Sequence, residues 1–421
     1  MAKPIYLDNN ATTPVDSRVL DAMYPYFGRD FGNASSDHLY GEEADRAVDK
    51  ARAQVAALAS ADPQSVYFTS GATEANNIAI IGRVIAKGGR GHIITSPIEH
   101  SSVLRSLDVV NAMGGSHSFV PVSPEGLVDP EDVRREIVNQ PDTVLVSIMS
   151  ANNEIGTVQP IREIAAVCRE LGVVFHTDAC QGFGRVAMEV CELDPANTRR
   201  CRPIADMVSL SGHKLYGPKG VGAFIVADDV DVSAVQMGGS QERGLRPGTL
   251  NVTGIVGLGK ACELMASDWP ADAERLMALR DRMVQTFVRE LGEDVVRING
   301  PLDVARRLPH NLHMTLLGVC PVRLGQLLRD KVAYSAGSAC MSDKAKKGHI
   351  SHVLQAIGGV PPEKGASVRL GLGRFTTETE VLDATDAIID AAKTLKGIPC
   401  PPRKSRGDSR QRPGDGERAP R

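Results

Sequence analysis

The chain has 421 residues, 42% of them hydrophobic, and a net charge of −3, which leaves enough apolar material for a large core and two domains. This charge gives no general case for binding nucleic acid or a membrane surface, and no apolar run is long enough to span a bilayer. The N-terminus lacks the apolar segment of a signal peptide, so we expect a cytoplasmic protein. The eight cysteines are scattered without a CxxC pair, which argues against a zinc knuckle or a disulfide scaffold, and most of them should be reduced.

The first two thirds of the chain alternate between apolar runs and helical patterns. A short strand is predicted at 6–10, a helix-compatible segment at 14–23 and a long helix at 42–58. Further strands are predicted at 66–70, 92–96, 143–149, 173–177, 207–210 and 221–226, with helices at 74–86, 102–113 and 161–171. Continuous apolar strands separated by helices indicate an α/β fold whose mostly parallel sheet is covered on both faces.

The pattern changes in the last third of the chain. A buried helix is predicted at 249–265 and a long amphipathic helix at 273–291, on either side of Trp269-Pro270. Short elements follow, and a last helix is predicted at 376–395. We therefore expect a large α/β domain over 15–262 and a smaller α+β domain formed by 1–14 and 263–397. Residues 398–421 are rich in Pro, Arg and Gly and are predicted to be a disordered basic tail, since 401–421 hold seven Lys or Arg and three Asp or Glu.

Polar residues follow several of the predicted strands directly. Lys214 lies where the strand 207–210 opens into a Gly-bearing turn, and desolvation there would make a neutral amine available as nucleophile or base. Asp178 ends the strand 173–177, at the edge of an open sheet where ligands bind. Gly71 lies in a strand-to-helix turn of the kind that binds phosphate. Each feature alone is explained as well by a surface lysine, a helix cap or an ordinary turn.

Together, the three features indicate pyridoxal phosphate. The lysine would hold this cofactor as a Schiff base, and the carboxylate would keep its pyridine nitrogen protonated. A protonated ring is the electron sink that makes the α-proton of an amino acid removable.

With these features, the chain resembles a known family, the NifS/IscS-like cysteine desulfurases, which are class V aminotransferases of the fold-type I group. The matching stretches cover roughly 1–395 and are Tyr6–Thr13, Ser70–Glu74, Glu99-His100, Asn152–Gly156, Asp178–Gln181, Ser211–Lys214, Arg243–Thr249, Ser335–Cys340 and Arg369–Thr377. The resemblance implies a large domain with a mostly parallel seven-stranded sheet and a smaller α+β domain that carries a catalytic cysteine loop.

The resemblance also assigns roles to individual positions. Lys214 would bind the cofactor and shuttle the α-proton, Asp178 would pair with the pyridine nitrogen, and His100 would stack on the ring and act in catalysis. The remaining cofactor-binding positions are Ala72, Thr73, Ser211 and His213 for the phosphate, Thr249 for the phosphate of the other subunit in a homodimer, Gln181 for the ring hydroxyl, and Asn153. Asn153 and Arg369 would bind the substrate carboxylate, a task that suits a planar guanidinium.

Cys340 lies in a run of small residues, followed by lysines that would favour a thiolate if they come close. By its chemistry alone it is as well explained as an incidental cysteine, but the family's nucleophile occupies this place in the motif. The resemblance therefore implies that L-cysteine is converted to L-alanine and a persulfide on Cys340. No metal site is expected, apart from a transient iron–sulfur ligand role for Cys340. Met341 and the basic segment 344–349 depart from the family pattern, which leaves the sulfur acceptor open.

Several alternatives remain at this stage. The sulfur acceptor is expected to be a scaffold or thiolation protein in iron–sulfur assembly, tRNA thiolation or DNA phosphorothioation. Selenocysteine lysis or another aminotransferase-like reaction would not need Cys340, and a degenerate family member would only bind partners. Nucleic-acid binding by the basic tail is a further alternative, but a solvated tail is the simpler interpretation.

Overall fold

The computed structural model of the chain describes residues 3–187, 189–193, 199–336 and 350–400. The α-helices in this part are α1 (Ser17–Met23), α2 (Leu39–Ala59), α3 (Ala72–Asn77), α4 (Arg83–Ala86), α5 (Ser101–Ala112), α6 (Pro130–Asn139), α7 (Ile161–Glu170), α8 (Val252–Leu291), α9 (Pro321–Leu328), α10 (His352–Ala356) and α11 (Glu378–Leu395). The strands are β1 (Ile5–Tyr6), β2 (Val66–Thr69), β3 (His92–Thr95), β4 (Ser116–Phe119), β5 (Thr143–Ser147), β6 (Val174–Asp178), β7 (Glu189–Leu193), β8 (Arg199–Pro203), β9 (Met207–Ser211), β10 (Gly222–Val226), β11 (Val296–Ile298), β12 (Asn311–Leu317), β13 (Val332–Ala333) and β14 (Gly365–Gly371).

A seven-stranded sheet forms the centre of the molecule, in the order β2-β10-β9-β6-β5-β3-β4. Strand β10 pairs antiparallel with both of its neighbours, and the remaining pairs are parallel. This confirms the predicted α/β class with a mostly parallel sheet. Strand β4 and helix α6 were not predicted, because the Ser-His-Ser-Phe sequence of β4 is an edge strand without a continuous apolar run.

Both faces of the sheet are covered by helices, as the continuous apolar strands require. Alternate residues of β9 point to opposite faces, so Val208 and Leu210 join the core that contains α2, α7 and α8. Met207 joins a second core that contains residues of α3, α4 and α5. Between α3 and α4 the helix continues through a π-helical stretch at Ile78–Gly82, so the predicted helix at 74–86 is present as one continuous element.

The remaining strands lie outside the central sheet. Strands β11, β12 and β14 form an antiparallel three-stranded sheet, and the N-terminal strand β1 pairs with β13. The two helices predicted on either side of Trp269-Pro270 are one 40-residue helix, α8, which crosses the expected boundary at residue 262. Pro270 removes one helical hydrogen bond, but buried side chains on both sides, such as Trp269 and Leu276, hold the helix in place.

A disulfide joins Cys320, at the N-terminus of α9, to Cys400 beyond α11. This pair was not predicted from the sequence, which indicated that most cysteines are reduced, and sequence spacing could not reveal it because 80 positions separate the two residues. Cys168 and Cys262 are buried free thiols, as expected for structural cysteines. In the described part of the chain, no helix has the length and apolarity needed to cross a membrane. The predicted tail lies outside the described residues, apart from 398–400.

Candidate active site

A cavity of about 520 Å³ opens at the carboxyl ends of the central strands. Ten of the residues predicted for the site line it: Ala72, Thr73, His100, Asn153, Asp178, Gln181, Ser211, His213, Lys214 and Arg369. Thr249 is exposed and does not line the cavity. Its role in binding the cofactor phosphate of a second subunit stays a prediction. Cys340 and the segment 344–349 lie outside the described residues.

Lys214 ends a short 3₁₀ turn that follows β9, and its side chain enters the cavity. Its Nζ donates hydrogen bonds to the carbonyl oxygens of Asn10 and Ala11, at 2.6 and 2.7 Å. Burial lowers the pKa of this amine to about 8, and the nearby Arg369 guanidinium acts in the same direction. A substantial fraction of the amine is therefore neutral near physiological pH, as a nucleophile or base requires.

Asp178 is the last residue of β6 and is almost fully buried. Its Oδ2 accepts a hydrogen bond from Asn76 Nδ2 at 2.8 Å, and its Oδ1 accepts one from the Cys180 amide at 3.0 Å. Asn76 is held in turn by the Ser102 hydroxyl, which also bonds His100 Nδ1. The carboxylate, the imidazole and the asparagine therefore form one connected polar network beside the cavity.

The turn between β2 and α3, which is predicted to bind the phosphate, lines the cavity. Gly71 has φ +151°, a conformation that residues with a Cβ rarely adopt, and α3 begins at the next residue. Ser211, the last residue of β9, and His213, in the turn that follows it, line the same cavity. Burial lowers the pKa of His213 to about 4, so its imidazole is neutral at physiological pH and can accept or donate a hydrogen bond.

Two further side chains have unpaired atoms that suit a ligand. The Gln181 Oε1 atom is buried and has no hydrogen-bond partner among the described residues, and the Nε atom of Arg369 is in the same situation. The remaining guanidinium nitrogens of Arg369 bond Asp8 Oδ1 at 2.8 Å and the Asn153 carbonyl at 3.1 Å. The structure therefore leaves an acceptor at 181 and a donor at 369 available for a ligand, and their predicted roles toward the ring hydroxyl and the substrate carboxylate stay predictions.

Pyridoxal phosphate fits this set of residues. The cavity has an amine of lowered pKa, a fixed carboxylate, a Gly-bearing phosphate turn and the unpaired acceptor of Gln181. Sequence reasoning missed the contributions of Asn76 and Cys180, since an asparagine inside a helix and a cysteine after an aspartate carry no signal of their own. Asn10 was only part of a matching stretch, and the structure places its carbonyl against Lys214.

Comparisons with known proteins agree with this geometry. The family model described as aminotransferase class-V matches residues 5–383, and the chain belongs to this family. Among curated relatives, a cysteine desulfurase IscS from Anaeromyxobacter sp. (strain Fw109-5) is 44% identical over 94% of both chains. A cysteine desulfurase from Homo sapiens is 42% identical over 94% of this chain and 83% of its own.

Solved structures give the same result. A NifS-like protein superposes with a TM-score of 0.81 at 32% identity, over 94% of this chain and all of the other. A structure described as SspA in complex with cysteine has a TM-score of 0.72 at 33% identity, over 89% of this chain and 100% of the other. These comparisons confirm the family resemblance, the fold class and the pyridoxal-phosphate cofactor.

Proposed function

We propose that two residues carry out the cysteine desulfurase reaction. Lys214 transfers the α-proton of the substrate, and Cys340 accepts its sulfur. The protein is a pyridoxal-phosphate-dependent cysteine desulfurase that converts L-cysteine to L-alanine. The observation that carries the assignment of residues is the convergence of Lys214, Asp178 and Arg369 on one cavity.

Substrate binding depends on two side chains that meet at the cavity. Arg369 is 1% exposed, and its contacts with Asp8 and the Asn153 carbonyl fix the plane of the guanidinium. Its unpaired Nε and the Asn153 side chain would receive the carboxylate of cysteine and so orient the Cα–H bond. Cofactor-phosphate binding would fall to Ala72, Thr73, Ser211 and His213, as the resemblance implies.

The bound cofactor supplies the electron sink that makes the α-proton of the substrate removable. The Lys214 amine would take this proton at Nζ, because its pKa of about 8 leaves a neutral fraction at neutral pH. Asp178, oriented by Asn76 and the Cys180 amide, would stand opposite the ring nitrogen. His100, bonded to Ser102, would lie against the ring face.

The sulfur transfer balances without an external oxidant. A bond forms between Cys340 Sγ and the substrate sulfur, and the substrate's bond from Cβ to sulfur breaks. The electron pair of that bond stays on the β-carbon, which takes up a proton and becomes the methyl group of alanine. Cys340 is left as a persulfide, and a sulfur-acceptor protein would then collect the terminal sulfur.

A homodimer is the assembly that we propose, with Thr249 completing the phosphate site of the partner. The N-terminal region carries several large exposed apolar side chains, Tyr24, Phe27, Phe31, Leu39 and Tyr40. The rings of Phe31 and Tyr40 are in contact at a tilt of 37°, with their centroids 5.5 Å apart. Exposed apolar surface of this kind is typical of protein interfaces. Sedimentation equilibrium tests the dimer, and a monomer at micromolar concentration would contradict it.

We further propose a cytoplasmic location and no role for nucleic acid.

The assignment is tested by incubating the protein with cysteine and a reductant and measuring alanine and sulfide. Cys340→Ala should keep the absorbance of bound cofactor and release no alanine. Undiminished alanine release from this variant would favour another reaction of the family, such as selenocysteine lysis, which needs no such thiol. A protein that stays colourless with added pyridoxal phosphate would instead indicate a non-catalytic, partner-binding member.

A further inference from the structure

Two loops that carry proposed site residues lie side by side at the cavity. Residues 96–100 follow β3 and end at His100, and residues 148–156 follow β5 and contain Asn153. The strands β3 and β5 are neighbours in the sheet, and Asn152 Nδ2 bonds the Ile98 carbonyl at 3.0 Å. The positions of His100 and Asn153 therefore depend on how firmly this pair of loops is held.

Both loops are contacted by one short helix, α10, which lies between β13 and β14 in the chain. Ser351, the N-cap of α10, donates its hydroxyl to Glu154 Oε2 at 2.6 Å. His352 Nε2 bonds the Glu99 carbonyl at 2.9 Å. Each bond reaches the residue directly next to a proposed site residue, Glu154 beside Asn153 and Glu99 beside His100.

Apolar packing reinforces these two polar contacts. Val353, Leu354 and Ile357 of the α10 region form a small buried cluster with Ile98 and Ile155. Ile98 precedes Glu99, and Ile155 follows Glu154, so the same two loop segments receive both kinds of contact. A five-residue helix is too short to be stable by itself, so its placement depends on these neighbours.

The Ser351 hydroxyl can donate one hydrogen bond, and its other contacts determine which group accepts that bond. Its oxygen accepts the amides of Val353 and Leu354, at 3.1 and 3.3 Å, which occupies both lone pairs. The proton is therefore donated to Glu154, a carboxyl group that is fully buried and whose other oxygen has no partner among the described residues. Loss of this donor would leave both oxygens of Glu154 buried and without a hydrogen-bond partner among the described residues, which is costly.

We propose that Ser351 and His352 are positioning residues, which hold the loops of Asn153 and His100 in the geometry that binds the substrate. The proposal rests on the proposed function only for the role of those two site residues. Because α10 touches the loops from outside the cavity, its side chains need not contact substrate or cofactor. Helix α10 would affect the reaction indirectly, by holding residues 99 and 154 and thereby positioning the neighbouring His100 and Asn153.

Ser351→Gly tests this, because glycine is tolerated at an N-cap with only a small loss of helix stability and removes the hydroxyl. We expect the KM for cysteine and the dissociation constant of alanine, read from cofactor absorbance, to rise together by about tenfold. His352→Ala should act in the same direction, and Ser351→Thr should restore both values. Thr377→Gly is the matched control, since Thr377 is the N-cap of α11 and has no contact with either loop among the described residues.

A second measurement separates this proposal from the assignment of the reaction. In the protein without cofactor, Ser351→Gly should speed hydrogen exchange in 148–155, where the Met149 amide bonds the Glu99 carboxyl group, and leave 207–211 unchanged. Unchanged exchange together with an unchanged KM would overturn the proposal, whereas the reaction assignment would still stand on alanine release. Equal effects of Ser351→Gly and Thr377→Gly would also overturn it, because they would reduce Ser351 to an ordinary helix cap.

Discussion

The acidity of Lys214 leads to a quantitative prediction about cofactor uptake. An ordinary lysine at pH 7 is neutral in roughly one molecule in 3,000, whereas a pKa of about 8 leaves roughly one in ten neutral, a gain on the order of 300-fold. Protein freed of cofactor should therefore take up pyridoxal phosphate at a rate that rises about tenfold per pH unit below pH 8. Above that pH the rate should level off, because the amine is already neutral.

Stopped-flow absorbance between pH 6 and 10 measures this rate directly. Nα-acetyl-lysine treated in the same way is the reference, because the titrations of the cofactor itself affect both reactions equally. The Arg369 guanidinium contributes to the lowered pKa, so Arg369→Gln should move the break toward higher pH. A wild-type rate that keeps rising beyond pH 9, parallel to the reference amine, would refute the reasoning.

Three further predictions follow from individual contacts. Arg369→Lys should raise the KM for cysteine about tenfold, since an ammonium cannot reproduce the planar fork, and an unchanged KM in steady-state assays would contradict this. Arg52→Ala leaves the Glu242 carboxylate buried without its two guanidinium bonds, and should lower the free energy of unfolding in urea by about 3–5 kcal/mol. The double variant with Glu242→Gln should recover part of this loss. Cys400→Ser should lower the Tm as much as a reductant lowers that of the wild type. The reason is that the bridge from Cys320 closes a long loop, which stabilises the folded state by about 4 kcal/mol in the chain-entropy account. A Tm that responds to neither change would contradict the bridge.

Local sequence signals were enough to predict six of the seven strands of the central sheet and the position of Lys214. The runs at 143–149 and 207–210 are mostly apolar because the strands they form are largely buried on both faces, and this pattern needs no knowledge of distant contacts. The continuity of α8 could not be predicted in the same way. Pro270 is a valid stop signal in an isolated segment, and only packing of both halves against other elements overrides it.

The side chains that complete the site were harder to predict than its central residues. Asn76 lies within α3, where an asparagine is usually a solvent-exposed residue, and its contact with Asp178 spans 102 positions. The Cys320–Cys400 pair depends on where α11 ends relative to α9, which no spacing rule describes. Long-range pairings of this kind follow from the completed fold, so residue patterns along the chain do not contain them.

The cavity is closed by residues from opposite termini of the polypeptide. Asp8 pairs with Arg369 across 361 positions, and the Asn9 side chain bonds the Gly371 carbonyl across 362. During synthesis the ribosome must therefore release the chain beyond residue 371 before the amine at 214 has its final surroundings. Nascent fragments that stop short of β14 would present the lysine without its arginine neighbour, so capture of the cofactor is expected to be a late event in the maturation of this protein.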